Sequence, residues 1–187
     1  MSKKKYFLKE FFKEKKTVGA VSPSSKHLGK KMLQNINFEN VKVIVELGPG
    51  TGVFTRMILN KLPEDAKLLV FELHDAFYEK LSKEYKEDSR VIIVNDSAEN
   101  ISKHLSAYNL TEVDAVISSL PLANFNKKLI SSILNQSYSC LKKNGLYVQF
   151  QYSLNSHRVI KSTFSNIRIN FTPRNLPPAF VYTCIKK

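Results

Sequence analysis

One carboxylate stands directly before three glycines at alternate positions in Glu46-Leu47-Gly48-Pro49-Gly50-Thr51-Gly52. Glycines so placed let the chain turn sharply and let a ligand reach the backbone with no Cβ in the way. Dinucleotide binding asks for G-x-G-x-x-G, yet three residues after Gly50 comes Val53, and the third glycine falls one position early, at Gly52. A carboxylate at position 46 would also repel a pyrophosphate and attract a cation. The chemistry this suits is capture of a cationic, phosphate-free nucleoside.

Three further segments offer polar residues after apolar runs. Lys67-Leu68-Leu69-Val70-Phe71 ends in Glu72 and Leu73, where an acid can accept both hydrogen bonds of a ribose diol. Val91-Ile92-Ile93-Val94 ends in Asn95, Asp96 and Ser97, where Asp96 could take an adenine amino group. Val113-Asp114-Ala115-Val116-Ile117 ends in Ser118-Ser119-Leu120-Pro121-Leu122. S-adenosylmethionine carries an ammonium, a sulfonium, a ribose and an adenine but no phosphate. The expected cofactor-binding set is therefore Glu46, Gly48, Pro49, Gly50, Gly52, Glu72, Leu73, Asp96, Ser97 and Ser118.

The elements that must position these residues follow from periodicity. Strands are predicted from Val41 into the glycine turn, over 67–71, 91–94 and 113–117, from Leu146, and over about 166–171 and 179–185. Helices are predicted over Lys26 to about Asn35 with Ser24 or Ser25 as cap, and roughly over 53–61, 75–85, 98–106, 126–140 and 155–163. Alternating strands and helices predict a parallel α/β sheet that binds its ligand at the carboxyl edge. Lys142-Lys143-Asn144-Gly145 reads as a stop signal, and Pro173, Pro177 and Pro178 exclude regular pairing before the last strand. The fold expected is a Rossmann-like seven-stranded α/β domain spanning 1–187, with residues 1–37 as an amino-terminal amphipathic helix and lid and 38–187 as the core.

Net charge is +13. Residues 1–16 hold seven Lys and two Glu, and residues 115–187 hold ten basic and no acidic residues, whereas 17–114 hold twelve basic and fourteen acidic ones. The excess positive charge lies in the two ends, which should meet an anionic lipid surface or nucleic acid. Phe7, Leu8, Phe11 and Phe12 form one apolar face of a lysine-rich helix, a pattern suited to the plane of an anionic membrane or to docking on the domain's own core. No apolar run reaches the roughly 18 residues of a membrane span, and the lysine-rich start lacks the apolar core of a signal peptide. Cys140, Cys184 and the four histidines show no ligand spacing, so no metal is expected.

With Val18-Gly19-Ala20-Val21-Ser22-Pro23-Ser24-Ser25, the glycine motif, Ser119-Leu120-Pro121-Leu122, Gln149-Phe150-Gln151-Tyr152 and Asn175-Leu176-Pro177-Pro178-Ala179, the chain resembles the short, soluble bacterial phospholipid N-methyltransferases. These methylate phosphatidylethanolamine towards phosphatidylcholine and are related to the ribosomal RNA adenine dimethylases. The resemblance implies S-adenosyl-L-methionine as cofactor, a phospholipid substrate, and a cytoplasmic protein held peripherally on the inner face of the membrane by its basic helix. Gln151 and Ser153 depart from the family pattern. Ser119, Leu120 and Pro121 would orient the acceptor nitrogen, and Tyr152, with Tyr6, would face the cationic head group. Arg158, Arg168 and Arg174 are candidates for the lipid phosphate.

Ribosomal RNA adenine methylation is the alternative. It calls for an Asn or Asp to hold the exocyclic amine and an aromatic to stack the flipped base, where this chain has Ser119 and Leu122. A non-catalytic membrane-binding module that keeps the cofactor fold is the third reading.

Overall fold

Apolar runs buried on both faces make the centre of the sheet, as expected of parallel strands covered by helices. The computed structural model describes residues 26–187. The basic amphipathic segment, Tyr6, the lid segment before Lys26 and the candidate caps Ser24 and Ser25 lie outside the described residues. Seven strands form one sheet: β1 Val43–Leu47, β2 Lys67–Phe71, β3 Val91–Val94, β4 Val113–Ser118, β5 Leu141–Gln151, β6 Asn166–Thr172 and β7 Ala179–Ile185. Their order is β3-β2-β1-β4-β5-β7-β6. β1 to β5 are parallel, and β7 runs antiparallel between β5 and β6.

Helices α1 Lys26–Leu33, α2 Val53–Leu59, α3 Asp75–Glu84, α4 Ile101–Ala107, α5 Lys127–Cys140 and α6 His157–Thr163 complete the architecture. Leu28 and Met32 of α1 and Phe54 and Ile58 of α2 pack with Ile44, Leu68, Val70, Ile117 and Val148 on one face. On the other, Ile101, Leu105, Ile130, Ile133, Leu134 and Ile160 pack with Val45, Leu47, Leu69, Val116, Tyr147 and Tyr182. Alternation along β1 thus turns Glu46 with Ile44 towards α2. This is the Rossmann-like sheet the sequence predicts.

Two boundaries move. β1 begins two residues later than expected and carries Glu46 and Leu47 inside the strand. β5 begins directly after α5, at Leu141, but its register on β4 jumps from Val113↔Leu141 to Ala115↔Leu146, so residues 142–145 bulge outward. Asp114 is the cause: one oxygen accepts from the Lys42 and Val43 amides, both at 2.8 Å, and the other pairs with Lys142 in the bulge. Burial works against its charge, but Lys142 and those amides outweigh it and hold the carboxyl below its usual range.

Candidate active site

Parallel strands of one sheet deliver their carboxyl ends to a common edge, and the order β2-β1-β4 puts the topological switch at β1. Gly48, Gly50 and Gly52 all have positive φ, at 69°, 57° and 80°. A Cβ at Gly48 would lie 2.8 Å from Leu120 Cδ2 and one at Gly52 2.7 Å from Leu81 Cδ2, so these two close the packing around the turn. Gly50 differs. Among the described residues a Cβ there meets nothing within 4 Å. The Gly52 amide donates to the Pro49 carbonyl at 3.1 Å, which closes the turn into α2.

Glu72, buried, fastens this turn to the end of β2. Its Oε2 accepts from the Gly50 amide at 3.0 Å and its Oε1 from the His74 amide at 2.8 Å. Burial raises its pKa, and the amides of His74, Gly50 and Leu73 recover only part of that rise. Glu46 is fully buried, and neither of its oxygens has a hydrogen bond among the described residues. Thr55 sits close enough to pull its pKa back without closing such a bond, while burial first and Glu72 next push it up to about 8. Two carboxyl groups thus share a dry site; Arg56, paired with Glu84, offsets only a small part of the rise at Glu46.

Asp96, past β3, is committed to its own neighbours. Oδ1 accepts from the Ser97 amide at 2.7 Å and from Asn100 Nδ2 at 2.9 Å, and Oδ2 lies 2.9 Å from His104 Nε2. Burial opposes its charge, and these partners outweigh it and lower its pKa. Ser97 Oγ accepts from the Glu99 amide at 3.3 Å, and Asn95 Nδ2 donates to the Glu72 carbonyl at 3.0 Å. The ends of β2 and β3 are thereby joined.

At the end of β4, buried Ser118 accepts from the Leu120 amide at 3.4 Å, and the Ser119 amide donates to the Leu47 carbonyl at 2.9 Å. The Leu120 carbonyl accepts from Leu122 N at 2.9 Å, Gln149 Nε2 at 3.1 Å and Gln151 Nε2 at 2.9 Å. The Pro121 carbonyl accepts from the Asn124 amide at 2.9 Å. Ser119 Oγ, buried, has no hydrogen-bond partner among the described residues. Of the Ser119-Leu120-Pro121 group expected to orient an acceptor, the serine hydroxyl is the buried side-chain group left without a hydrogen bond among the described residues. Tyr152 is 44% exposed, with its ring edge-on to Phe150 at 5.6 Å.

Gln149 and Gln151, which the sequence reading quoted only as part of the family resemblance and gave no role, both reach the Leu120 carbonyl. Their signal was present: two amide side chains at strand spacing in an apolar run must find buried partners. Tyr147 completes the set, its hydroxyl donating to Gln149 Oε1 at 2.8 Å. Among the described residues no three His, Cys, Asp or Glu come together as metal ligands. Cys140 and Cys184 are free and buried.

Charge and space both fit S-adenosylmethionine. Glu46 has unused buried oxygens for its cationic part, the open side of Gly50 leaves room beside the turn, and Glu72 already stands at the β2 end where a ribose diol is held.

The sequence matches the ribosomal RNA adenine dimethylase family over residues 12–159. It is 30% identical over 179 residues to the ornithine lipid N-methyltransferase of Singulisphaera acidiphila, covering 95% of this chain and 93% of that protein. Two solved structures share the fold at low identity. The O-methyltransferase TomG of Streptomyces achromogenes, solved with S-adenosylmethionine, matches with a TM-score of 0.68 and 15% identity over 87% of this chain and 81% of its own. An S-adenosylmethionine-dependent O-methyltransferase of Thermotoga maritima matches with 0.65 and 12% over 92% and 69%. A buried carboxylate before an open glycine turn, on a sheet of this order, agrees with that kinship: the chain belongs to the ribosomal RNA adenine dimethylase family and is an S-adenosylmethionine-dependent methyltransferase.

Proposed function

We propose that the chain methylates the primary amine of a membrane lipid head group, of the phosphatidylethanolamine or ornithine-lipid kind. The observation that carries this reading is the end-to-end match to an ornithine lipid N-methyltransferase of nearly the same length. The β4 end supports it. Ser119 and Leu122 stand where an adenine acceptor would need a side-chain amide or acid and a stacking aromatic.

S-adenosylmethionine supplies an electrophilic methyl group when bound. Glu46 and Glu72, with Gly48, Pro49, Gly50, Gly52 and Leu73, are the residues that would hold it, with Asp96, Ser97 and Ser118 bordering its adenine side. Ser119 Oγ accepts an N–H of the acceptor amine and points its lone pair. Gln149 and Gln151 act one step back by fixing the Leu120 carbonyl, and with it the turn that carries Ser119. An ammonium has no lone pair, and a dry pocket lowers an amine's pKa by disfavouring its charged form. Tyr152 presents an exposed ring to the head group, whose positive charge becomes permanent with full methylation. Arg158, Arg168 and Arg174, exposed and without an ion pair to any acid of the described chain, are available to a lipid phosphate.

The test is methyl transfer from labelled S-adenosylmethionine to vesicles containing phosphatidylethanolamine, to vesicles containing ornithine lipid, and to ribosomal RNA. Label in the organic phase is the expected result, and the vesicle type that takes it names the head group. The family match favours RNA as a second reading. Label confined to RNA would replace the lipid reading with that one.

A further inference from the structure

Six large apolar side chains are exposed among the described residues, and all but one come from the β5–β7 third of the sheet: Tyr152, Leu154, Ile169, Phe171 and Leu176. The exception, Tyr108, follows α4, on the chain's return from the sheet edge that holds the glycine turn. Phe171 pairs with Phe180, and Phe180 with Gln151 at the end of β5, so the β6–β7 connection at 173–178 emerges at that same edge.

The exposure is built in. Asn175 is 4% exposed, its Nδ2 donates to the Pro177 carbonyl at 2.7 Å, and it reaches Tyr152. With Asn175 turned inward, Leu176 is turned out and is 77% exposed, flanked by exposed Pro173, Arg174, Pro177 and Pro178. Phe171 beneath it is 54% exposed and Leu154, in the β5–α6 loop, 48%. Arg174 lies in the connection itself two residues before Leu176, Arg158 and Lys161 stand on α6 just after Leu154, and no acid occurs anywhere in residues 115–187.

From this we infer that the β6–β7 connection inserts into an anionic bilayer and seats the carboxyl edge of the sheet against the head groups. The inference rests on the lipid reading above and adds the surface that makes it work. Apolar side chains rimmed by cations match the interface of an anionic leaflet, in which the apolar part enters the acyl boundary and the cations stay with the phosphates. An RNA backbone would use the arginines and leave Leu176 and the prolines in water. Because the Phe171↔Phe180↔Gln151 register brings this connection alongside the end of β5, a lipid entering beside it offers its head group to the site while its acyl chains stay in the bilayer.

The chain contains no tryptophan, so Leu176→Trp gives a single emitter. With vesicles of phosphatidylglycerol and phosphatidylethanolamine, its emission is expected to shift to the blue and to be quenched by lipids brominated high on the acyl chain. Tyr108→Trp is expected to do neither. Leu176→Asp is expected to weaken vesicle binding about tenfold with cofactor affinity unchanged, which verifies the fold. An unshifted Leu176→Trp spectrum in the presence of vesicles, or a shift with RNA alone, overturns the inference. Methyl transfer to lipid in detergent micelles reports separately on the acceptor: label there with an unshifted reporter removes the insertion and leaves the lipid reading standing. No label in micelles removes the lipid reading itself.

Discussion

Glu46 keeps its proton in the folded chain up to about pH 8, whereas in the unfolded chain it ionises near its ordinary 4.5. Between those values the unfolded state has released a proton that the folded state still holds, so stability falls as pH rises through the interval and levels off above it. Glu46→Gln removes this dependence. Chemical denaturation should find the variant equal to its parent near pH 4 and more stable by up to a few kcal/mol near pH 8. A cationic ligand reverses the preference, because it favours the ionised carboxylate. Calorimetry near neutral pH, in buffers of different ionisation enthalpy, should detect release of up to one proton on S-adenosylmethionine binding and none from Glu46→Gln. Gly50 makes a separate case. Gly50→Val sets a branched side chain at a positive φ, at a cost on the order of 1–2 kcal/mol, and fills the open side of the turn. Thermal melting should show a folded protein, and titration should show cofactor affinity lowered far more than that strain accounts for. Glu72→Ala frees the Gly50 amide and should weaken the cofactor by roughly tenfold or more.

At the scale of elements, Gln149 and Gln151 of β5 hold the Leu120 carbonyl just past β4, next to Ser119. Replacing both Gln149 and Gln151 by Leu removes two donors from the Leu120 carbonyl. Turnover should drop while the cofactor's Kd stays close to that of the parent, since the glycine turn is untouched. Asn126 Oδ1 accepts from the Leu129 amide at 2.9 Å and caps α5, so Asn126→Ala should cost about 1 kcal/mol in a denaturation curve. The strand and helix positions were legible because apolar runs are punctuated here by Gly, Pro and polar caps, as at Asn60–Asp65 and Pro173–Pro178. The start of β5 was not. It is set by Asp114 gripping Lys142 and the first amides of β1, three pieces brought together only by the finished sheet. The carboxyl-edge residues were legible for the opposite reason, since each lies at the end of its own strand or just past it. What could not be read locally was their occupancy. Asp96 is engaged by Asn100 and His104, the Leu120 carbonyl is filled from the neighbouring strand, and Ser119 Oγ and Glu46 are left without hydrogen bonds among the described residues.

Over the whole molecule, charge and chemistry occupy different parts of the chain. The stretch 17–114, which holds Glu46, Glu72 and Asp96, is slightly acidic, whereas 115–187 carries ten cations and no acid. The sheet order turns that separation in sequence into one in space, with β3-β2-β1 at one end and β5-β7-β6 at the other. Reversing Arg158, Arg168 and Arg174 to Glu together should abolish most binding to anionic vesicles at low salt. The difference from the parent should shrink near 1 M salt, where screening acts within about 3 Å. Among the described residues no helix is long and apolar enough to cross a membrane. The same sheet order also fixes a sequence of events during synthesis. β6 leaves the ribosome before β7 yet touches the sheet only through it, so the nascent β6 has no strand to join until β7 arrives. In that interval the backbone of Asn166–Thr172 has no strand to pair with, so this stretch is the last of the sheet to gain its hydrogen bonds.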